Sequence, residues 1–361
     1  MANVVGVVGA GGISRFHFGA FEKLGTEVRV VCDLDRTRAE PYLQTFGAEF
    51  AESYEAVVQH PDVQAVVVLS SSAMHYEIAK AALENGKHVI CEKTLTLSAA
   101  ESLELGRLAE RKGLLLFTSY MKRFFPAARQ ARELMGRLGH ITSVYCRTYQ
   151  GVGTDIHTGE IPGGFRPNES GGSGVMRLAG GGILVCGGSH ILDLLCFLVG
   201  KPVSVYGRRL VRPGCDVDFM FHALMDLPAG GVVHFEGNWH ALRKIGYEGR
   251  GWDEGFEISG TRGRLILQTP LWCHPENNPA RLSHYDDETE QWTRYAFDIV
   301  DPFLLAETHF QEQIALGEQG EQDRYTGYRV DELIETAWRS AGEGRPLELD
   351  WKDEVRRDQA S

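Results

Sequence analysis

The chain has 361 residues, 43% hydrophobic and 24% charged, and 37 Lys and Arg against 49 Asp and Glu give a net charge of −12. That length accommodates two domains with separate cores, and the acidic balance argues against a protein that grips nucleic acid through a basic face. No apolar run reaches the ~18 residues of a membrane span, and a first strand starting at about Asn3 leaves no room for a signal peptide, so a cytoplasmic protein with no membrane partner is expected.

From Asn3 to about Thr118 apolar strands alternate with helical stretches, the pattern of βαβ units around a parallel sheet. The strands expected are Val4–Val8, Val28–Cys32, Ala65–Leu69, His88–Cys91 and Leu114–Phe117. They are continuous apolar runs, as when helices cover both faces of a sheet. Ser98 with Glu101 three residues later reads as a capping box opening a helix that ends near Gly113. Gly86 sits where a helix-terminating glycine belongs.

Beyond about Arg123 the texture changes. Ser143–Tyr149, Ser204–Leu210, Phe219–Leu227, Gly231–Asn238 and Gly255–Ser259 read as strands with few helices between them. Runs of strands of this kind suggest an α+β domain on a mostly antiparallel open sheet. The division expected is a Rossmann-type, doubly wound parallel domain over 1–122 and an α+β domain over 123–361, within the α/β class. The break falls near Tyr120–Pro126. Gly151 to Gly182 is glycine-heavy and without periodicity, too long for an idle connection, and is expected to be a mobile loop near the site. Tyr328 to Ala341 reads as a helix ended by Gly342 and Gly344. Seven scattered cysteines with no Cys-x-x-Cys pair read as reduced thiols rather than a disulfide framework.

Two strand ends carry chemistry. The first delivers Gly9-Ala10-Gly11-Gly12-Ile13-Ser14, a glycine turn that opens a helix, and the second strand ends at Asp33. Gly9 permits the tight turn and Gly11 a close approach of backbone to a pyrophosphate, which the helix N-terminus attracts. Ser14, in the third glycine position, is small enough for close helix packing. Asp33 would accept from ribose hydroxyls and repel a 2′-phosphate, favouring NAD over NADP, while Arg36 and Arg38 leave room for NADP. Glu92 and Lys93 stand at the end of His88–Cys91. Ligands bind beyond the carboxyl ends of strands in open α/β sheets, so Lys93 is a candidate for chemistry. Taken alone, a strand-end lysine also reads as a solvated charge, and a histidine on an apolar helix, such as His190, as a satisfied core residue.

With these features the chain resembles the glucose–fructose oxidoreductase, inositol dehydrogenase and rhizopine-catabolism family (Gfo/Idh/MocA). The resemblance runs from Gly9-x-Gly11-x-Ile13-Ser14-x-x-His17 through AALENGKHVICEK and Met121-Lys122-Arg123-Phe124-Phe125-Pro126. It continues in GGGILVCGGSHILDLL, FEISGTRGRLIL and WRSAGEGRPLEL. It implies an NAD(P)-dependent dehydrogenase of a sugar, cyclitol or related polyol. Lys93 takes the place of the catalytic lysine that binds the reacting hydroxyl, and His190 that of the general acid/base. The cofactor set it implies is Gly9, Gly11, Gly12, Ile13, Asp33, Arg38, Ser70, Ser72, His75, Glu92, Lys93 and Arg123. The substrate set is Lys93, Arg123, Arg166, Cys186 and His190; Arg177, Trp239, His240 and Trp252 fall in segments that line substrate pockets in relatives. Family members commonly form dimers or tetramers, and a sheet face without evident helical cover points the same way.

The chain departs from the family at three places. Cys186 stands where the family carries an aspartate four residues before the histidine, and a thiol cannot hold an imidazole as a carboxylate does. It opens space for a bulky substrate or, one helical turn from His190, supplies a second metal ligand; no third ligand is evident, and no metal is assigned. Thr94 replaces proline after Lys93. A cis peptide without proline costs ~2.5–4 kcal/mol, so that turn is expected to differ in detail. Ser70-Ser71-Ser72 replaces Thr-Pro-Asn. Asp193, one turn after His190, reads equally as a helix-stabilising residue and a substrate contact. Two other functions fit the same residues: a glycosidase that oxidises its sugar transiently on a retained NAD, and a non-catalytic NAD-binding sensor.

Overall fold

The computed structural model describes residues 3–161, 181–213, 217–246, 251–269, 271–273 and 280–353. The chain divides into two units, and their sequence limits differ from a single cut at 122/123. The first comprises the chain up to Ser119, Ala306–Glu332 and the segment from Asp350; the second is Tyr120–Leu305 with Leu333–Leu349.

In the first unit the elements are β1 (Val4–Val8), α1 (Ser14–Leu24), β2 (Glu27–Cys32), α2 (Arg36–Phe46), β3 (Glu49–Ala51), α3 (Tyr54–Gln59), β4 (Ala65–Val68), α4 (Ser72–Glu84), β5 (His88–Cys91), α5 (Ala99–Lys112) and β6 (Leu116–Thr118). The six strands form one parallel sheet in the order β3-β2-β1-β4-β5-β6. Val5 and Val7 of β1 and Val66, Val67 and Val68 of β4 are fully buried, which is why these strands read as apolar runs. The strand order reverses between β1 and β4. The crevice at such a switch point, beyond the carboxyl ends, is where doubly wound sheets bind ligands.

Two local expectations need correction. Ser98 is the N-cap of α5, but its side chain makes no capping bond. Its N–H donates to Thr96 Oγ1 at 3.1 Å, so the hydroxyl two residues back takes the place assigned to Glu101. β6 begins at Leu116 rather than Leu114. The N–H of Leu114 is spent on Ala109 O at 2.9 Å, closing α5 past the left-handed Gly113.

The second unit opens with a 3₁₀ turn, Met121–Phe124, and α6 (Pro126–Leu134). There follow β7 (Ile141–Gly151), a π turn (Leu184–Gly188) running into α7 (Ser189–Leu198), β8 (Ser204–Val211), β9 (Asp218–Asp226), β10 (Val232–His240), β11 (Trp252–Gly260), β12 (Gly263–Gln268), β13 (Arg281–Asp286) and β14 (Gln291–Tyr295). The chain then forms α8 (Pro302–Leu316), α9 (Thr326–Glu343) and β15 (Leu347–Glu348). The sheet has nine strands in the order β14-β13-β12-β11-β7-β10-β9-β8-β15, antiparallel except where β7 meets β10. On β7, Val144, Cys146, Thr148 and Gln150 are buried and Tyr145, Arg147 and Tyr149 half-exposed, the alternation of a sheet covered on one face. On the other face Tyr206, Leu224, His234 and Tyr145 pair in one row across β8, β9, β10 and β7. α9 runs past Gly342, and the helix ends at Gly344 with φ +67°. Most of the glycine-heavy segment expected to be a loop lies outside the described residues.

Candidate active site

The glycine turn is built as its sequence requires. Gly9 has φ +107°, and a Cβ there would lie 2.6 Å from the backbone of Leu69, so only glycine lets β1 and β4 end side by side. A Cβ on Gly11 or Gly12 would meet nothing; both face open space above the N-terminus of α1. Ser14 is fully buried, its Oγ donating to Gly11 O at 2.7 Å. Asp33 anchors the turn from β2. Its Oδ2 accepts the Ala10 N–H at 2.7 Å and its Oδ1 the Asp35 N–H at 2.9 Å, leaving a further lone pair on each oxygen for a hydroxyl. These residues fit a dinucleotide: an open glycine cradle, a helix N-terminus and a positioned carboxylate. Arg38 is exposed and pairs with Asp35 at 3.6 Å; Arg36 lies over the Phe50 ring. Ser70, on the β4–α4 loop, and Ser72, at the first position of α4, are half-buried.

His75 and Glu92, expected among the cofactor contacts, are both buried. His75 is 1% exposed, with Nδ1 2.8 Å from Thr94 O and Nε2 3.1 Å from Ser70 O. Burial draws its pKa below the ordinary value, against the pull of those two carbonyls. A neutral imidazole has one N–H, so it donates to only one of these two carbonyls. Glu92 is buried as well. Burial opposes its charge, but His17, Lys93 and Ser119 outweigh burial and hold its pKa below the usual carboxylate range. Both residues shape the ends of β4 and β5. Lys93 itself is half-buried at the end of β5, and the Lys93–Thr94 peptide is cis, so threonine does not remove that geometry.

In the second unit His190 lies in the first turn of α7, 8% exposed, its ring edge-on to that of the buried Tyr120 at 5.8 Å between centroids. Cys186 is half-buried in the preceding π turn, its N–H donating to Gly182 O at 2.8 Å. A carboxylate absent from the sequence reading holds this segment. Asp218 on β9 is fully buried, and its Oδ2 accepts the Leu184 N–H at 2.9 Å. A Cβ on Gly182 would fall on that carboxylate, so the close approach requires glycine.

Arg123, expected at cofactor and substrate, is 5% exposed and committed to Asp193 through Nε at 3.0 Å and a second, shorter bond. Its guanidinium also lies over the Phe197 ring. Lys122 beside it forms a second buried ion pair, with Glu254, whose other oxygen accepts from Thr148 Oγ1 at 2.7 Å. Trp239 is buried and donates Nε1–H to Gln150 Oε1 at 2.9 Å, a packing role. His240 Nδ1 accepts the Leu242 N–H at 2.9 Å, and Trp252 is half-buried. Arg166 and Arg177 lie outside the described residues. Among the described residues no group of three His, Cys, Asp or Glu side chains could hold a metal, and no helix is long and apolar enough to cross a membrane.

Comparison with known proteins adds identity to this geometry. Residues 4–120 match the oxidoreductase family with an NAD-binding Rossmann fold, and residues 128–266 match the GFO/IDH/MocA C-terminal domain. An uncharacterised oxidoreductase of Synechocystis sp. is 30% identical over 278 residues, 73% of this chain and 71% of that protein. A D-xylose 1-dehydrogenase (NADP(+)) of Haloferax volcanii is 25% identical over 96% of this chain and 99% of its own length. A levoglucosan dehydrogenase solved with NADH superposes with a TM-score of 0.80 over 97% of this chain and all of that chain; at 22% identity it shares the fold.

Proposed function

The chain belongs to the Gfo/Idh/MocA family of oxidoreductases, and from that premise we propose that it oxidises or reduces a secondary alcohol of a sugar, cyclitol or glycoside with NAD. The observation that carries this reading is Lys93 at the carboxyl end of β5, in the same sheet whose first two strands end at Gly9 and Asp33. Gly9, Gly11, Gly12 and Ile13 would hold the pyrophosphate against the N-terminus of α1, and Asp33 the ribose hydroxyls. Asp33 favours NAD, while Arg36 and Arg38 are engaged only in surface contacts, which contribute little. NAD, when bound, supplies the hydride acceptor.

The chain's own residues handle the proton. The Lys93 ammonium binds the hydroxyl oxygen and stabilises the negative charge that develops on it. The His190 imidazole takes the hydroxyl proton, a task that suits a group titrating near neutrality. With Cys186 in place of a carboxylate, the Tyr120 ring and the anchoring of the π turn by Asp218 fix the direction of His190. We also read the uncovered face of the nine-stranded sheet, with Tyr206, Leu224 and Tyr145 in one row, as the contact of a homodimer or homotetramer. Light scattering of the eluted protein tests that point, and a monomer contradicts it.

The assay is absorbance at 340 nm with NAD or NADP and D-xylose, levoglucosan or myo-inositol. Reduction of NAD by at least one of them is expected. Release of aglycone from a nitrophenyl glycoside without net NADH would replace this reading with that of a redox-neutral glycosidase.

A further inference from the structure

His17 lies in the first turn of α1, directly after the glycine turn, and is 1% exposed. Its ring spans two carboxylates from separate elements of the first unit. Nε2 donates to Glu92 Oε1 at the end of β5 at 3.0 Å, and Nδ1 donates to Glu307 Oε1 on α8 at 2.7 Å. Glu307 is fully buried and Glu92 is 7% exposed. A neutral ring donates one hydrogen bond, and it would leave two buried carboxylates facing a single N–H. Burial alone lowers the His17 pKa, but the hydrogen bonds and charges of Glu307 and Glu92 outweigh burial and raise it to about 9. The ring is therefore an imidazolium at neutral pH.

The second oxygen of Glu92 points the other way, accepting the Lys93 backbone N–H at 3.1 Å. A continuous run of contacts thus leads from α8 through α1 to the backbone of Lys93. We propose that His17 is a positioning residue for Lys93: its positive charge keeps Glu92 ionised between two partners, and Glu92 in turn holds the strand end from which Lys93 projects. The charged groups that face the ring are Glu92, just beyond β5, and Glu307 from α8; Phe21 packs against it from its own helix, and Lys93 and Ser119 act on the Glu92 carboxylate. The inference rests on the reading of Lys93 as the residue that binds the hydroxyl.

A histidine that only fills space would be indifferent to charge elsewhere, and that separates the two roles. His17→Asn leaves Glu307 uncompensated and is expected to lower kcat at least about tenfold while KM for NAD stays within about threefold. His17→Asn with Glu307→Gln removes the stranded Glu307 charge but still lacks the positive charge beside Glu92, so kcat is expected to stay at least about fivefold below the wild type. A double variant restored to the wild-type rate, or a single variant at full rate, overturns the proposal.

Should His17→Asn not fold, Glu307→Gln carries the test. In protein labelled with ¹⁵N-histidine, free of NAD and substrate, the His17 ring should titrate at least about one pH unit lower than in the wild type. The alkaline limb of kcat should move with it, and an unchanged ring titration or an unmoved limb overturns the proposal. Lys93→Ala assayed in parallel separates the two levels. Normal turnover removes the Lys93 reading and this proposal with it, whereas a dead Lys93→Ala beside a fully active His17→Asn removes this proposal alone.

Discussion

The Asp193 carboxylate binds the Arg123 guanidinium through both of its oxygens, with both side chains buried, one helical turn beyond His190. The pair joins the 3₁₀ turn after Tyr120 to α7, so it holds the helix that presents His190. Breaking a buried pair leaves an uncompensated charge and costs about 3–5 kcal/mol. Asp193→Asn should therefore lower stability by that order in urea unfolding, and a loss under about 1 kcal/mol would show the pair to be dispensable.

Asp218 gives the fold a pH dependence of definite sign. Burial pushes its pKa from 3.8 up to about 7, against the opposing amides of Leu184, Gly182 and Asp218 itself and the charge of Arg209. The folded chain therefore holds this proton more tightly than the unfolded chain. Its stabilising contribution is complete below about pH 4, declines as pH rises to about 7 and is flat beyond. Asp218→Asn keeps the neutral form throughout. Its stability relative to the wild type should rise between about pH 5 and 7 and level off above; unfolding midpoints across that range that run parallel for the two proteins would contradict the assignment.

The sequence made the first unit legible because its signals are local. β1, β2, β4 and β5 are apolar runs because helices cover both faces, and Gly9, Asp33 and Lys93 stand at or just beyond strand ends; the short edge strand β3, Glu49–Ala51, carries no such signal. β12 to β15 are absent from the strands expected from sequence; in β13 and β14, RLSHYD and QWTRY at the sheet margin carry little apolar content. The contacts that hold the site's segments are long-range. Nothing near His17 in sequence announces Glu307, and nothing near Cys186 announces Asp218. The pairing of Arg123 with Asp193 likewise spans seventy positions, so resemblance alone assigned the arginine to a ligand.

Cys186 is where this chain departs most from its family. Cys186→Asp should retain the fold, because the position is half-buried rather than sealed. Activity should change by at least about tenfold, or ~1.4 kcal/mol in barrier, if this position belongs to the proton-transfer machinery. Unchanged kcat and KM would place Cys186 outside it.

Asp33 holds the Ala10 amide, and we propose that it also accepts from the ribose. Asp33→Asn keeps an acceptor for the amide but removes the charge that repels a 2′-phosphate. Fluorescence titration should show NAD binding weakened and NADP binding strengthened, narrowing the preference about tenfold or more. An unchanged ratio would shift the preference to Arg36 and Arg38.

Lys93 is proposed to bind and polarise the hydroxyl on the carbon that gives up its hydride. Single-turnover formation of NADH at 340 nm, wild type against Lys93→Ala, tests it most directly, with NAD binding measured on the same samples. The account predicts NAD affinity within about threefold and hydride transfer slowed at least about a hundredfold, ~2.7 kcal/mol of lost transition-state stabilisation. Transfer at the wild-type rate in a Lys93→Ala protein that still binds NAD would contradict it.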